Sequence, residues 1–339
     1  MPVFKIKKVL IILIAILFFL VIGLMAITAF YLNAPKAEHG DNRVFIIQNG
    51  MNLKNISQLL EKEGIIKSSL AFMIRARFKG IGRIIKAGEY SLNPSMTPER
   101  IMEMITSGEV VAYNVTIPEG FTIAQIADVL SSYSLITRQE FLEYVNQDGI
   151  EKIYGFEGPG LEGYLYPDTY RFTRGLNAKA IVDTMIMRFR AITAPLEGRI
   201  VESGMTLHEV VTLASIVEKE TGNPDERPII ASVFLNRLRK KMRLDSDPTV
   251  IYGMRNFSGN ISKNDLTAYT PYNTYVIKGL PPGPIANPGY YSIKAVLYPA
   301  ETEFLYFVSK NDGSHHFSKG LEEHNRAVRI YQKKGYISN

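Results

Sequence analysis

The chain has 339 residues, 46% of them hydrophobic, no cysteine and a formal net charge of +6. That length allows one large or two to three modest domains with a sizeable core. The lack of cysteine excludes a disulfide scaffold, a zinc–thiolate centre and a thiol nucleophile, and the scattered positive charge, with no concentrated basic stripe, makes nucleic acid a poor partner.

Residues 9–31 carry no charge. As a helix they span roughly 34 Å, enough for a hydrocarbon core of about 30 Å. A secretory h-region is shorter, so the pattern predicts a retained signal-anchor, with a cleaved signal ending at the small residues Ala26 and Ala29 as the alternative. Lys5, Lys7 and Lys8 precede the span, which predicts a cytoplasmic N-terminus over residues 1–8 and everything after the span on the far side of the membrane. Residues 32–43 read as a polar linker.

A repeat then appears at an offset of 70 residues: Phe45-Ile-Ile-Gln-Asn-Gly50 resembles Val115-Thr-Ile-Pro-Glu-Gly120. Each alternates like a strand and ends at a glycine turn. Ile56, Leu59 and Leu60 recur as Ile126, Val129 and Leu130 at helical spacing, and a second helix follows each copy near residues 69–79 and 138–146. Between the copies the pattern predicts a strand near 87–92 and a helix over 98–107 capped by Thr97. Such small βα units over 44–150 resemble LysM-like glycan-binding modules, and a plain packed α+β subdomain has the same spacing.

Beyond residue 150 the chain predicts a helix-rich α+β domain over 151–339. Glu162-Gly-Tyr-Leu-Tyr-Pro-Asp-Thr-Tyr-Arg-Phe172 reads as extended, and an amphipathic helix is expected over 178–202, ended by Gly204. Thr206 and Glu209 form a capping-box pair for the next helix, which should stop before Gly222-Asn223-Pro224. Further helices are expected over 226–242 and 292–298 and from Leu321, with a hairpin at Asn311-Asp-Gly313. His208-Glu209 begins a zincin-like string, but Thr212 stands where the second ligand belongs. His315, His316 and His324 match no zinc spacing and read as a solvated hairpin. No metal or other cofactor is expected.

Within Ala214-Ser-Ile-Val-Glu-Lys-Glu-Thr221, Val210, Leu213, Ala214 and Val217 make an apolar face, and Glu218 lies at its edge beside Ser215. A partly buried carboxyl can hold a proton near neutral pH and donate it to a leaving oxygen; an ordinary ion pair with Lys219, Arg237 or another base is the competing reading. Glu220 points away and is expected in solvent. Asn236 and Arg237 follow, then Asp245-Ser246-Asp247, where Asp247 is the expected cap of a short helix with Pro248 in its first turn. Tyr252, Tyr269, Tyr272, Asn273, Thr274 and Tyr275 suit sugar stacking and hydroxyl binding, or a core with satisfied hydroxyls.

These motifs together resemble the MltG/YceG-like endolytic murein transglycosylases of bacterial inner membranes. The likeness is carried by Glu162-Gly-Tyr-Leu-Tyr-Pro-Asp-Thr-Tyr, Ala214-Ser-Ile-Val-Glu-Lys-Glu-Thr, Ala231-Ser-Val-Phe-Leu-Asn-Arg-Leu, Asp247-Pro-Thr-Val-Ile-Tyr-Gly, Tyr272-Asn-Thr-Tyr and Gly279-Leu-Pro-Pro-Gly-Pro-Ile. It covers nearly the whole chain. The resemblance implies a catalytic Glu218 and cleavage of the β-1,4 bond between N-acetylmuramic acid and N-acetylglucosamine within peptidoglycan strands, with closure of a 1,6-anhydro ring and no water consumed. Candidate substrate-binding residues are Ser215, Asn236, Arg237, Asp245, Ser246, Asp247, Tyr252, Asn273, Thr274 and Tyr275. Many members carry Gln where this chain has Asp245, which leaves that residue's role open. A water-using muramidase with Asp245 or Asp247 as second carboxylate, and a non-catalytic membrane-anchored glycan-binding scaffold, are the alternatives. Glycan strands are the expected partner, together with peptidoglycan synthases.

Overall fold

The computed structural model describes residues 2–48, 50–254, 257 and 259–332, with the backbone alone for residues 2–11 and 83. The charges of Lys5, Lys7 and Lys8, on which the orientation reading rests, therefore lie outside the described side chains. The fold is α+β and divides into two compact units, Met1–Ala112 with Thr173–Gly175, and Tyr113–Phe172 with Leu176–Asn339.

The first unit opens with α1 (Pro2–Asn33). Its stretch Ile12–Asn33 reaches a mean hydropathy of 3.0 with none of it buried in protein. A helix that is apolar all round and covered by nothing needs a non-aqueous surrounding, which is compatible with a single-pass membrane anchor. Then come β1 (Arg43–Ile47), α2 (Leu53–Lys62), α3 (Ser69–Phe78), β2 (Gly88–Leu92) and α4 (Pro98–Ser107). β1 and β2 pair antiparallel with Phe45 opposite Tyr90. β1 exposes Val44 and Ile46 and buries Phe45 and Ile47, the period-two pattern of a half-buried strand. Ile56, Leu60, Phe72, Tyr90, Leu92, Ile101 and Ile105 complete this core. Thr97 caps α4 by accepting from the Arg100 N–H, with Pro98 in the first turn and Gly108 in the left-handed region at its end.

The second unit begins with β3 (Tyr113–Thr116), α5 (Ile123–Ser132), α6 (Arg138–Val145), α7 (Ile150–Ile153) and β4 (Thr169–Phe172). β3 and β4 pair antiparallel with Val115 opposite Tyr170. Both copies of the repeat thus run strand, helix, helix, closing strand. The second copy belongs to the second compact unit, which begins at Tyr113. The closing strand is 53 residues from its partner, and the sequence 162–172 is extended only at its end.

α8 (Ala178–Thr193) and α9 (Glu197–Ser203) replace the single helix expected over 178–202. Pro195 lies in a 3₁₀ turn between them, because a proline ring removes a backbone donor and crowds the preceding turn. α10 (Leu207–Glu220) has the predicted capping box of Thr206 and Glu209. Every side chain from Val210 to Val217 is buried. The helix is enclosed on all sides rather than along one stripe, packed against α11 (Arg227–Arg239) and α14 (Tyr290–Leu297). At about 1.5–3 kcal/mol for each large apolar side chain fully buried, α10 is the hub of this core. α12 (Asp247–Gly253) and α13 (Lys263–Thr267) lie between α11 and α14 in sequence. The chain ends with the hairpin of β5 (Tyr306–Ser309) and β6 (His315–Ser318) and with α15 (Leu321–Tyr331).

Candidate active site

The last turn of α10 presents two carboxyls to two different surroundings. Glu218 has a side chain only 6% exposed, and its Oε1 lies 3.1 Å from Nη2 of Arg227, itself 9% exposed. The Gly289 N–H donates to Oε2 at 3.0 Å. The ion-pair reading of Glu218 is therefore realised, with Arg227 as the base. Glu119, from the turn after β3, stands beside this pair, 3.7 Å from Arg227 Nη2. Burial, and then the Glu218 charge, push the Glu119 carboxyl up, and Arg227 opposes them. A Cβ on Gly289 would meet the Glu119 side chain, so a larger residue there would push that carboxyl aside.

Glu220 is not the solvated residue that helical spacing suggests. Ser246 Oγ donates to its Oε1 at 2.5 Å. Burial pushes its carboxyl up to about 7; the Asp247 charge adds to this, and the Ser246 hydrogen bond and Arg237 oppose it. The physical cause is a return of the chain: α10 ends at Glu220, and the segment before α12 folds back over that end. A helix considered alone has no such cover.

Around Glu220 lies a cavity of about 410 Å³ lined by Arg237, Asp245, Asp247 and Tyr275, and by Tyr306, His324 and Asn325 from the C-terminal elements. Tyr275 donates its hydroxyl to Asp247 at 2.7 Å. Arg237 Nη1 donates to Asp245 at 2.9 Å, and its guanidinium stacks over Tyr306. His324 packs against the same ring, and burial, then Arg237, then His316 push its imidazole down. Such a cavity combines a carboxyl poised near neutrality, two further carboxylates, a fixed cation and tyrosine faces, which is what proton transfer on a hydroxyl-rich ligand requires.

The sequence-predicted binding residues thus separate into two groups. Arg237, Asp245, Ser246, Asp247 and Tyr275 gather round Glu220. The others serve the fold. Ser215 is fully buried, donating to Thr212 O and accepting from the Ile285 N–H. Asn236 donates to Thr302 O and Phe304 O. Asn273 donates to three carbonyls of the 265–268 turn. Thr274 accepts from the Ser246 N–H and pairs with Thr249, so it holds the segment that covers Glu220. Tyr252 donates to Glu162 at 3.3 Å and packs against Tyr272.

Two further expectations are corrected here. Asp247 is the first residue of α12 and not its cap; Ser246 occupies the cap position and spends its hydroxyl on Glu220. The His315 region is no solvated hairpin: His315 Nδ1 lies 2.6 Å from Glu226, with both side chains nearly buried. His208 bridges the Tyr164 hydroxyl and Pro282 O. Among the described residues no group of three His, Asp or Glu is placed to hold a metal ion.

Glu162, quoted in the sequence only as part of a motif, is a second unusual carboxyl. It accepts from the Ile123 N–H, Asn287 Nδ2 and the Tyr252 hydroxyl. Burial pushes it up to about 8 against these donors. Its partners come from the start of α5, from α12 and from the loop before α14, so it ties that loop to the repeat. The motifs around Glu162 and Glu220 were visible, but which glutamate meets which partner depends on contacts between residues far apart in the chain.

Comparison with known proteins agrees with this architecture. The sequence model of the YceG-like family matches residues 45–330. The chain is 35% identical over 312 residues to the endolytic murein transglycosylase of Bacillus subtilis, covering 86% of this chain and 84% of that protein. It is 30% identical over 314 residues to the endolytic murein transglycosylase of Streptococcus pneumoniae, covering 83% of this chain and 57% of that protein. A crystal structure of a YceG-like protein from Listeria monocytogenes matches with a TM-score of 0.59 and 34% identity, over 85% of this chain and all of the other. A match over this much of the sequence, with the same fold, means that the chain belongs to the YceG-like family.

Proposed function

We propose that this protein is an endolytic murein transglycosylase that cuts the β-1,4 bond between N-acetylmuramic acid and N-acetylglucosamine inside a glycan strand, with Glu220 as the carboxyl that carries the proton. The relatives' activity supports the reaction class. The observation that carries the residue assignment is the Glu220 carboxyl, raised to about 7 in a cavity with Arg237, Asp247 and Tyr275. Glu218, the residue that the family likeness implied, is the rival, and its oxygens are committed to Arg227 and Gly289.

In this reading protonated Glu220 donates to the glycosidic oxygen as the bond to C1 breaks. The N-acetylglucosamine side leaves as a hydroxyl, and the muramoyl ring becomes oxocarbenium-like. The Glu220 carboxylate then takes the proton of the C6 hydroxyl, which attacks C1 and closes the 1,6-anhydro ring. The carboxyl returns to its starting state and no water is consumed, so one group serves both steps. A water-using glycosidase needs a second carboxylate at a set separation, whereas Asp245 and Asp247 are engaged by Arg237 and Tyr275.

Mass spectrometry of digested peptidoglycan tests the reaction. The expected products carry 1,6-anhydromuramoyl ends. Reducing muramoyl ends would move the assignment to a muramidase, and glycan binding without cleavage would move it to a scaffold.

The first unit, built as β–α–α–β, supports a LysM-like role in holding the strand. The apolar stretch of α1 and the lysines at its start support a single-pass protein of the cytoplasmic membrane, with the second unit outside the cytoplasm, where peptidoglycan synthases are the expected neighbours. Protease added to intact protoplasts should then digest the second unit; its protection until lysis would reverse the orientation.

A further inference from the structure

The segment from residue 64 to 88 carries six bases, Lys67, Arg75, Arg77, Lys79, Arg83 and Lys86, and no acidic residue. Together with Lys5, Lys7 and Lys8 before the span, this is a local concentration of positive charge within the first unit. α3 lies in its middle. One face of α3 buries Phe72 and Ala76 in the core of the first unit. The other carries Leu70, Ile74 and Phe78 at successive intervals of four, exposed by 60%, 45% and 89%. A row at that spacing forms a single stripe on the helix. Isolated exposed apolar residues are ordinary, but an aligned stripe with a nearly bare phenylalanine asks for a cover.

The structure places this stripe beside the membrane helix. Met25, Ala29 and Leu32 of α1 and Leu70, Ile74 and Phe78 of α3 line one groove of about 640 Å³. Lys67, just before α3, donates to Tyr31 O at 3.1 Å and lies 3.9 Å over the Tyr31 ring. Tyrosine and lysine at the end of a span are anchors of the membrane–water boundary. The start of α3 is therefore fixed at the level where α1 leaves the hydrocarbon, and the stripe lines the same groove as the last turns of the span. Arg77 and Lys79 flank Phe78, and both are exposed. Lys79 also lies 3.3 Å from Glu99.

We infer that α3 is an interfacial helix whose Leu70–Ile74–Phe78 stripe is seated in the headgroup and acyl boundary of the bilayer that α1 spans, with Arg77 and Lys79 on anionic lipid headgroups. The occupant is lipid because the stripe continues the surface of a membrane span. An apolar face of this kind buries about 5–10 Å into the boundary, and bases near an anionic surface add to its hold. The first unit is then held flat against the membrane and not on a free tether.

The full chain contains no tryptophan, so Phe78→Trp introduces a single fluorescent reporter at an exposed position. The probe is this variant in nanodiscs of phosphatidylcholine with phosphatidylglycerol, read with acyl-brominated lipids and with aqueous iodide. Strong quenching by brominated lipid and weak quenching by iodide are expected. Neutralising Arg77 and Lys79 with glutamine should lower the ratio of seated to unseated α3 roughly thirtyfold, at about fivefold for each base. Iodide quenching without lipid quenching would overturn the inference, since the stripe would face water. Shielding from both would overturn it in favour of a protein contact or a second copy. Unchanged lipid quenching in pure phosphatidylcholine would overturn the part played by headgroup charge.

Discussion

Glu220→Gln is expected to lower glycan cleavage by about 10²–10⁴-fold, the usual contribution of a positioned general acid–base, and to leave the fold intact. The substitution is isosteric, and a carboxamide oxygen can still accept the Ser246 hydroxyl that now donates to Oε1. What it removes is the proton. Glu218→Gln should do the reverse. It breaks a nearly buried pair with Arg227, and Arg227 keeps only Glu119 at 3.7 Å, so part of the about 3–5 kcal/mol that an uncompensated buried partner costs is expected as lost stability; the folded fraction should still cut strands. Cleavage rates for both variants, normalised to folded protein, separate the two assignments. Activity kept in Glu220→Gln and lost in folded Glu218→Gln would return the role to Glu218. The pH profile gives a second check. The acid form of Glu220 starts the reaction, so activity should fall as pH rises through about 7, the value to which burial lifts this carboxyl. The Asp247 charge helps to raise it, so Asp247→Asn should move the alkaline limb to lower pH.

Local chemistry carried much of the fold into the sequence. The caps at Thr97 and Thr206 were legible because each is a contact within four residues. The repeat was legible because both copies keep the strand alternation and the helical spacing of the residue that follows. Pro195 was legible in principle: a proline inside a periodic run splits the helix, and the amphipathic pattern on both sides masked it. The closing strands were harder. β4 meets β3 across α5, α6 and α7, and nothing in a four-residue strand names its partner. The second copy shares its core with α8, a partnership that no local pattern in the sequence announces.

The site shows the same division more sharply. Ser246, Asp247 and Tyr275 were picked for their chemistry, and they do line one cavity or reach its carboxyl. Angular position on the helix alone points the carboxyl they surround into solvent. That argument treats the helix as a free cylinder. It holds where neighbouring elements pack only on one side, and it fails at a terminus over which the chain returns. Asn273 and Thr274 were picked for the same polar chemistry, yet they spend it inside the protein, fixing the turn and the segment that create the cover. Residue type alone does not distinguish a group that binds sugar from one that builds the wall behind it.

The wall has one dominant support, and removing it should destabilise the second unit. Arg237 is 7% exposed. Its Nε donates to Leu305 O at 2.6 Å, and its Nη1 reaches Arg243 O, Leu244 O and Asp245 Oδ2 at 3.1, 2.9 and 2.9 Å. One guanidinium thus joins α11 to the approach of β5 and to the segment covering Glu220. Asp245 sits there with φ of 50°, a left-handed conformation uncommon outside glycine though more accessible to Asp than to most residues, and the Arg237 contact helps to hold it. Arg237→Met keeps the length and the apolar stem but strips donors from three carbonyls and a carboxylate. Unsatisfied buried groups cost about 1–3 kcal/mol each, while the Asp245 side chain is 40% exposed and its pairing adds little, so a loss of about 3 kcal/mol is expected in denaturant unfolding. Arg237→Lys restores the charge as a single point and not the fork that serves several acceptors at once. It should recover part of the stability while cleavage stays low, because Asp245, Ser246 and Asp247 are no longer held in register over Glu220. A lysine variant that recovers stability and cleavage together would show that charge alone suffices. A methionine variant as stable as the wild type would mean that the restraint on Asp245 lies elsewhere, in the 3.3 Å hydrogen bond from its N–H to Thr274 O.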